Sequence, residues 1–304
     1  MNAGDRGFTR KVHEAATQGG KYVVPIEGME FTLEVLGNGA FSEVLKGYDA
    51  DGKPVALKVF KPILQREARD YFRNVVKKRK RIFREDPFAK LRFAFPDNPF
   101  YAYVSDYVEG PTVRECLDPP KDPRKRKRLL DLDDRDTQAR IFSTYVSMLK
   151  FLHPKGLLYF DNSWKNVIVN SQEVKVIDPD SVRSFGELKH VHPNKGMAPF
   201  TPTSASIAQA RGDGYTFSVD LEGVALMIDR FYNRTYFFYV DKKKRGPLGV
   251  ISSAMEPKRE YLAGRIERIP HRLREYVVQV ISKPTKHGMT LSDLESAVNH
   301  TFNL

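Results

Sequence analysis

The chain has 304 residues, with 50 Lys and Arg against 38 Asp and Glu and a formal net charge of +12. Apolar residues make up 41%, including 20 Phe and 14 Tyr, which is enough for a packed core and excludes a wholly disordered chain. The single Cys, Cys116, excludes a disulfide framework and a Cys-rich zinc site and favours a reducing compartment. No apolar run approaches the roughly 20 residues that cross a bilayer, and the polar N-terminus lacks the apolar stretch of a secretory leader. The expectation is a cytoplasmic protein without a transmembrane segment; a nuclear location or delivery into a host cell is compatible with the same sequence.

Residues 1–28 are polar and Gly-rich, with a short helix expected near 10–17, and read as a tail or a docking extension. Residues 30–36 alternate polar and apolar side chains, as a half-buried strand does, and glycines follow at Gly37 and Gly39. A second strand is expected over 43–48, then hairpin chemistry at 49–52, then a third strand over 54–60. That third strand carries Val55, Leu57 and Val59 on one face and Ala56 and Lys58 on the other. Residues 63–84 predict one long basic helix, and 101–108 another strand. The Pro- and charge-rich stretch 118–135 predicts mostly a solvated loop or a helix extension. Residues 137–152 predict a strong helix with Ile141, Tyr145, Met148, Leu149 and Leu152 on its apolar face. Short strands are expected at 167–169 and 174–177, and mostly helix from Ser218 to Leu304. A β-rich first part followed by an α-rich second part indicates two unequal lobes.

Two stretches in the first part bear on chemistry. Gly37, Gly39 and Ala40 lie in a turn between two strands. Glycines let a backbone approach a ligand closely, and N–H groups in such a turn can face phosphate oxygens. Alone, the pattern is better read as an ordinary hairpin. It is not the dinucleotide-binding context, which needs a helix after the glycines. Lys58 follows in Val55-Ala56-Leu57-Lys58. A Lys between apolar neighbours in a cleft is costly unless it meets an anion, which a pair of phosphates would supply; the alternative is an exposed strand Lys. The order of Gly loop, strand, hairpin and Val-Ala-Leu-Lys resembles the protein kinase family.

The resemblance continues further along. A long helix runs into Tyr159-Phe160-Asp161-Asn162-Ser163-Trp164-Lys165-Asn166, followed by Val167-Ile168-Val169. Asp161 and Asn166 keep the spacing of the family's H-R-D-x-x-x-x-N, and Asp178-Pro179-Asp180 stands at the place of D-F-G. Residues 103–110 look like the strand and hinge joining the lobes, with Ser105 as gatekeeper. Residues 218–224 resemble a helix start whose Asp220 would brace the catalytic loop, and 274–298 resemble the last helices of the larger lobe. The similarity runs from about Met29 to about Asn299.

The resemblance implies an α+β, bilobal protein kinase-like fold: an N-terminal extension 1–28, a small β-rich N-lobe 29–107 and a larger helical C-lobe 108–304. It implies an ATP- and Mg²⁺-dependent phosphotransferase, a divergent serine/threonine protein kinase acting on a protein substrate. The alternatives are a pseudokinase scaffold that binds nucleotide without turnover and a small-molecule kinase on the same fold. Under the resemblance Gly37, Gly39 and Ala40 cover the phosphates, and Val44, Ala56 and Ile168 enclose the adenine. The backbone of Asp106 and Val108 reads the adenine edge, and Lys58 holds the α- and β-phosphates with Glu67 as its helix partner. Asp161 orients the acceptor hydroxyl, and Asn166 and Asp178 are metal ligands, with Asp180 a further ligand or only a loop cap.

Several residues depart from the family pattern. Tyr159-Phe160 replaces His-Arg, so activity is expected not to depend on activation-loop phosphorylation, while Tyr159 still fills an apolar slot. Ser163 replaces the Lys that steadies the transferring phosphoryl group, and Lys165, four residues after Asp161, is expected to take over. Pro179 stiffens the metal-binding segment. Residues 196–204 stand in for the end of the activation segment without its Glu. Trp164 either packs under the catalytic loop or touches substrate. Three basic runs, 77–81, 124–128 and 242–245, are either solvated faces or a surface for an acidic or polyphosphate partner.

Overall fold

Residues 1–109 and residues 110–304 fold as two separate units in a computed structural model of the chain. The described residues are 22–26, 29–38, 42–49, 51–60, 82–85, 87–94, 102–120, 129–159, 161–179, 182–185, 216–234, 266–283 and 288–304. The first unit is β-rich and the second mostly helical, the order expected from the sequence.

The first unit is built on an antiparallel sheet of β1 (Tyr22–Ile26), β2 (Met29–Asn38), β3 (Ser42–Tyr48), β4 (Pro54–Phe60), β5 (Leu91–Ala94) and β6 (Ala102–Asp106), in the order β1-β2-β3-β4-β6-β5. The sheet thus reaches back into the segment read as an extension. Pro25 is accommodated in β1 because that strand lies at the edge, where a missing N–H breaks no ladder. The turn between β3 and β4 has the expected chemistry: Asp49 Oδ1 accepts the N–H groups of Asp51 at 3.0 Å and Lys53 at 2.8 Å. Strict alternation through β3, β4 and β6 sends Leu45, Val55, Leu57, Val59, Ala102 and Val104 to a buried face. Arg92 of β5 pairs with both Asp49 in the β3–β4 turn and Asp106 at the end of β6, tying three corners of the sheet together. The helix expected over 63–84 lies mostly outside the described residues, and its last three, Ile82–Arg84, form a 3-10 turn.

The second unit opens with a short helix, α1 (Val113–Leu117), which starts at a capping box of Thr112 and Glu115. The next helix, α2 (Arg135–Leu152), begins two residues earlier than the apolar pattern indicates. The reason is Asp134, whose carboxylate accepts the N–H of Thr137 at 2.8 Å and so sets the start as an N-cap. Four short strands follow: β7 (Leu157–Tyr159) pairs with β10 (Val182–Ser184), and β8 (Val167–Val169) pairs with β9 (Val174–Val176). Then come α3 (Ser218–Asn233), α4 (His271–Ser282) and α5 (Leu291–Phe302). Nearly all of α3 is buried, on every side, so it is the axis against which α4 and residues 162–164 pack. Its aromatic end, Phe231, meets Phe142 of α2 at 5.1 Å between ring centroids, and Phe142 stacks on Phe302 of α5 at 5.7 Å.

Gly110 joins this unit with φ +141°, and a Cβ there would lie 2.7 Å from the carbonyl oxygen of Val169. The adjoining segment is bonded to β8, since the Val169 N–H donates to the Pro111 carbonyl at 3.1 Å. Both the backbone angle and the space demand glycine. Gly110→Ala is expected to lower stability by about 2 kcal/mol or more, read as a shift of the urea unfolding midpoint. A midpoint equal to wild type would show that this close approach is not maintained in solution.

Candidate active site

In the second unit, the segment after β7 carries Asp161 and ends in the 3-10 turn Trp164–Asn166, which runs directly into β8. Asp161 is nearly buried. Asn166 lies deeper, and its Nδ2 donates to the Asp161 backbone carbonyl at 3.0 Å and to Asp161 Oδ2 at 3.1 Å. These two bonds fix which way the Asn166 amide faces. No donor among the described residues reaches its Oδ1. Lys165 Nζ lies 3.1 Å from the same Asp161 Oδ2, while its side chain keeps 45% of its surface in solvent. Asp161 Oδ1 accepts no hydrogen bond from a described residue.

The loop hangs from α3. Asp220, fully buried, accepts the Tyr159 N–H at Oδ2 (2.8 Å), and the same oxygen lies 3.0 Å from His153 Nε2. Its Oδ1 accepts from Asn162 Nδ2 at 3.1 Å. The bracing expected of Asp220 is therefore visible as a bond to the backbone at the end of β7, just before Asp161. Trp164 packs under the loop: it is buried, its Nε1 donates to the Met227 carbonyl at 2.8 Å, and its ring lies edge-on to Phe142, Tyr145 and Phe231. Tyr159 fills the apolar slot expected of it, and its hydroxyl reaches the Ile177 carbonyl at 2.8 Å. Ser163 is buried and caps the 3-10 turn, so this position has no outward side chain, whereas Lys165 does.

Asp178 follows β9. The strand ends one residue sooner than the sequence predicts because the Asn166 N–H is spent on the Ser163 carbonyl at 3.0 Å in the 3-10 turn, so that the next pair of the ladder keeps only the bond from the Ile177 N–H to the Asn166 carbonyl, at 2.8 Å. That bond brings Asn166 and the chain leading to Asp178 to the same end of the β8–β9 hairpin. Asp178 has φ +67°, a left-handed conformation uncommon outside glycine and concentrated at functional sites. Ile168 of β8 is half-buried and bridges to Thr112.

In the first unit, the register gathers the other expected residues on the sheet face opposite the core. Val44 lies directly across from Lys58, and Lys58 across from Tyr103. Ala56 lies between Lys46 and Ser105 on the same face. Lys58 is buried, with its Nζ 6.0 Å from the Tyr103 ring centroid. Gly37 pairs with Val44 just after a bulge at Leu36. The Asp106 N–H is taken by the Lys90 carbonyl at 2.9 Å, and Val108 is buried two residues on. Gly39, Ala40, Glu67, Asp180, residues 196–204 and the three basic runs lie outside the described residues.

A family model described as the protein kinase domain matches residues 31–302. The chain belongs to the protein kinase family. No curated protein shows a significant match to it. Among the described residues of this kinase-family chain, no helix is long and apolar enough to cross a membrane.

Sequence reasoning did not single out Asn162. Its side chain lies against Gly223 of α3 and accepts from the Tyr145 hydroxyl at 2.5 Å. One signal was available: a Tyr on an otherwise apolar helix face must find a partner for its hydroxyl.

Proposed function

We propose that this member of the protein kinase family is catalytically active, moving the γ-phosphoryl group of ATP to a serine or threonine hydroxyl of a protein with Mg²⁺ as cofactor. The observation that carries the reading is the Asp161 carboxylate, bonded on Oδ2 by Asn166 and Lys165 and taking no described donor on Oδ1. The residues fit the metal. Asn166 Oδ1 and the Asp178 carboxylate are hard oxygen donors, and Mg²⁺ commonly takes only one or two protein ligands beside phosphates and water. No group of three His, Cys, Asp or Glu side chains gathers among the described residues, and such a two-ligand site needs none. When bound, Mg²⁺ neutralises and orients the phosphates.

In this reading Lys58 holds the α- and β-phosphates, and Val44 and Ala56 lie against the adenine. Asp161 orients the acceptor hydroxyl and takes its proton as the new O–P bond forms and the bond to the ADP oxygen breaks. Lys165 supplies positive charge beside the transferring group, in place of the Lys that Ser163 replaces. Tyr159-Phe160, lacking the family's Arg, leaves activity independent of activation-loop phosphorylation.

The test is incubation with γ-labelled ATP and Mg²⁺, wild type beside Asp178→Ala. Mg²⁺-dependent label in the chain itself or in added casein, absent from the variant, is the expected result. Label found only in a metabolite would replace this reading with a small-molecule kinase. An ATP- and Mg²⁺-dependent thermal shift without any turnover would replace it with a scaffold.

A further inference from the structure

The segment that carries Asp161 is held from beneath by a polar network whose members have no direct part in the proposed transfer. Asn162, the residue after Asp161, is almost fully buried. Both ends of its amide are read. Oδ1 accepts from the Tyr145 hydroxyl of α2 at 2.5 Å, and Nδ2 donates to Asp220 Oδ1 of α3 at 3.1 Å. The surface of α3 is notched to receive it: a Cβ on Gly223 would lie 2.6 Å from Asn162 Nδ2 and 2.8 Å from its Cγ.

Each bond has a fixed direction. Burial, with Tyr159, Asp220 and Asp161 nearby, pushes the Tyr145 hydroxyl well above its usual range, so it stays a donor. Asp220 accepts at both oxygens, from the Tyr159 N–H and from the Asn162 amide. An amide is therefore the group that satisfies both neighbours at once: a carboxylate would face Asp220 with a like charge, and an aliphatic side chain would leave a buried hydroxyl and a carboxylate oxygen unpaired.

We propose that Asn162 is a positioning residue, a clamp between α2 and α3 that sets the backbone carrying Asp161. The inference rests on the phosphotransferase reading for its kinetic consequence, but not for its structural one. Tyr145 and Asn162 act as a unit, so neither holds the loop without the other.

The experiment uses the full chain with three variants, Tyr145→Phe, Asn162→Leu and the double variant. Tyr145→Phe removes a single oxygen and guards against a variant that fails to fold. Two readouts are taken. The first is kcat and the ATP KM for label transfer to casein or to the chain itself. The second is acrylamide quenching of Trp164, the only Trp, two residues beyond Asn162. The expected result is a kcat lower by roughly tenfold to a hundredfold, as for a misplaced reacting group, at an ATP KM within about twofold. Trp164 quenching rises in both single variants, and the double variant is no slower than the slower single, as coupled neighbours behave. Unchanged kcat, a loss carried by KM, or a kcat loss with Trp164 quenching as in wild type would each overturn the clamp. If wild type transfers no phosphate, the phosphotransferase reading fails and Trp164 quenching alone decides: a rise supports the clamp and no change overturns it.

Discussion

Asp161→Asn should lower phosphoryl transfer by about 10³-fold, the scale of losing a positioned general base, while ATP binds nearly as it does to wild type. The substitution keeps the size of a side chain that is nearly buried, so packing is undisturbed. Asn166 retains its bond to the backbone carbonyl of residue 161, at 3.0 Å, and the turn it closes stays shut. Lys165 loses an ion pair at 3.1 Å, but with 45% of its side-chain surface in solvent it loses little stability by that. What disappears is negative charge and proton affinity at the atom proposed to meet the acceptor hydroxyl. Nucleotide affinity rests on other residues in this reading, Lys58 and Asp178, so titration with a fluorescent ATP analogue should give a Kd within a few-fold of wild type. Initial rates within tenfold of wild type would remove Asp161 from the role. A parallel loss of ATP affinity would mean that its carboxylate belongs to the nucleotide site rather than to the acceptor.

The sheet and the segment after β7 were read for different reasons. Alternation is a local signal, so β4 could be read with Lys58 opposite Leu57 in facing, and the turn residues around Asp49 announced the hairpin. Asp161, Asn166 and Asp178 were picked out by their resemblance to the spacing of the family's motifs, although no single one of them is more than a turn residue by itself. Strand β1 was not legible. Five residues with a Pro among them carry little periodic signal, and their pairing with β2 is what makes them a strand. The support beneath the active loop was hidden for a stronger reason. Its bonds join residues 17, 58 and 67 positions apart, and nothing within one helix or loop records such a pairing. Tyr145 shows the limit: periodicity placed it correctly on the buried face of α2, but read it as apolar packing rather than as a donor to Asn162. Trp164 had two readings from sequence, and its bond to the Met227 carbonyl chooses the one beneath the loop.

Asp220→Ala is expected to be the most destabilising of the substitutions, because one fully buried carboxylate serves three groups at once. The Tyr159 N–H, the Asn162 amide and the His153 ring lie at 2.8, 3.1 and 3.0 Å from its oxygens. Alanine removes the acceptor and admits no water in exchange, since the position has no exposed surface. Each donor left unpaired in such a place costs about 1–3 kcal/mol, and the costs do not simply add. A total near 4 kcal/mol is the expectation, equivalent to a Tm lower by roughly 10 °C in a chain of this size. Phosphoryl transfer should fall with it, since both Tyr159 and Asn162 flank the segment that bears Asp161. Asp220→Asn separates the two contributions. It preserves volume and one acceptor oxygen, but turns an NH₂ toward donors on the other side. Its unfolding midpoint should therefore lie between wild type and alanine, with much of the kinetic loss already present. The measurement is urea unfolding of all three proteins followed by far-UV circular dichroism, with label transfer assayed well below each midpoint. If the alanine variant unfolded within about 1 kcal/mol of wild type, less than one orphaned donor should cost, Asp220 could not be the anchor from which the catalytic loop hangs.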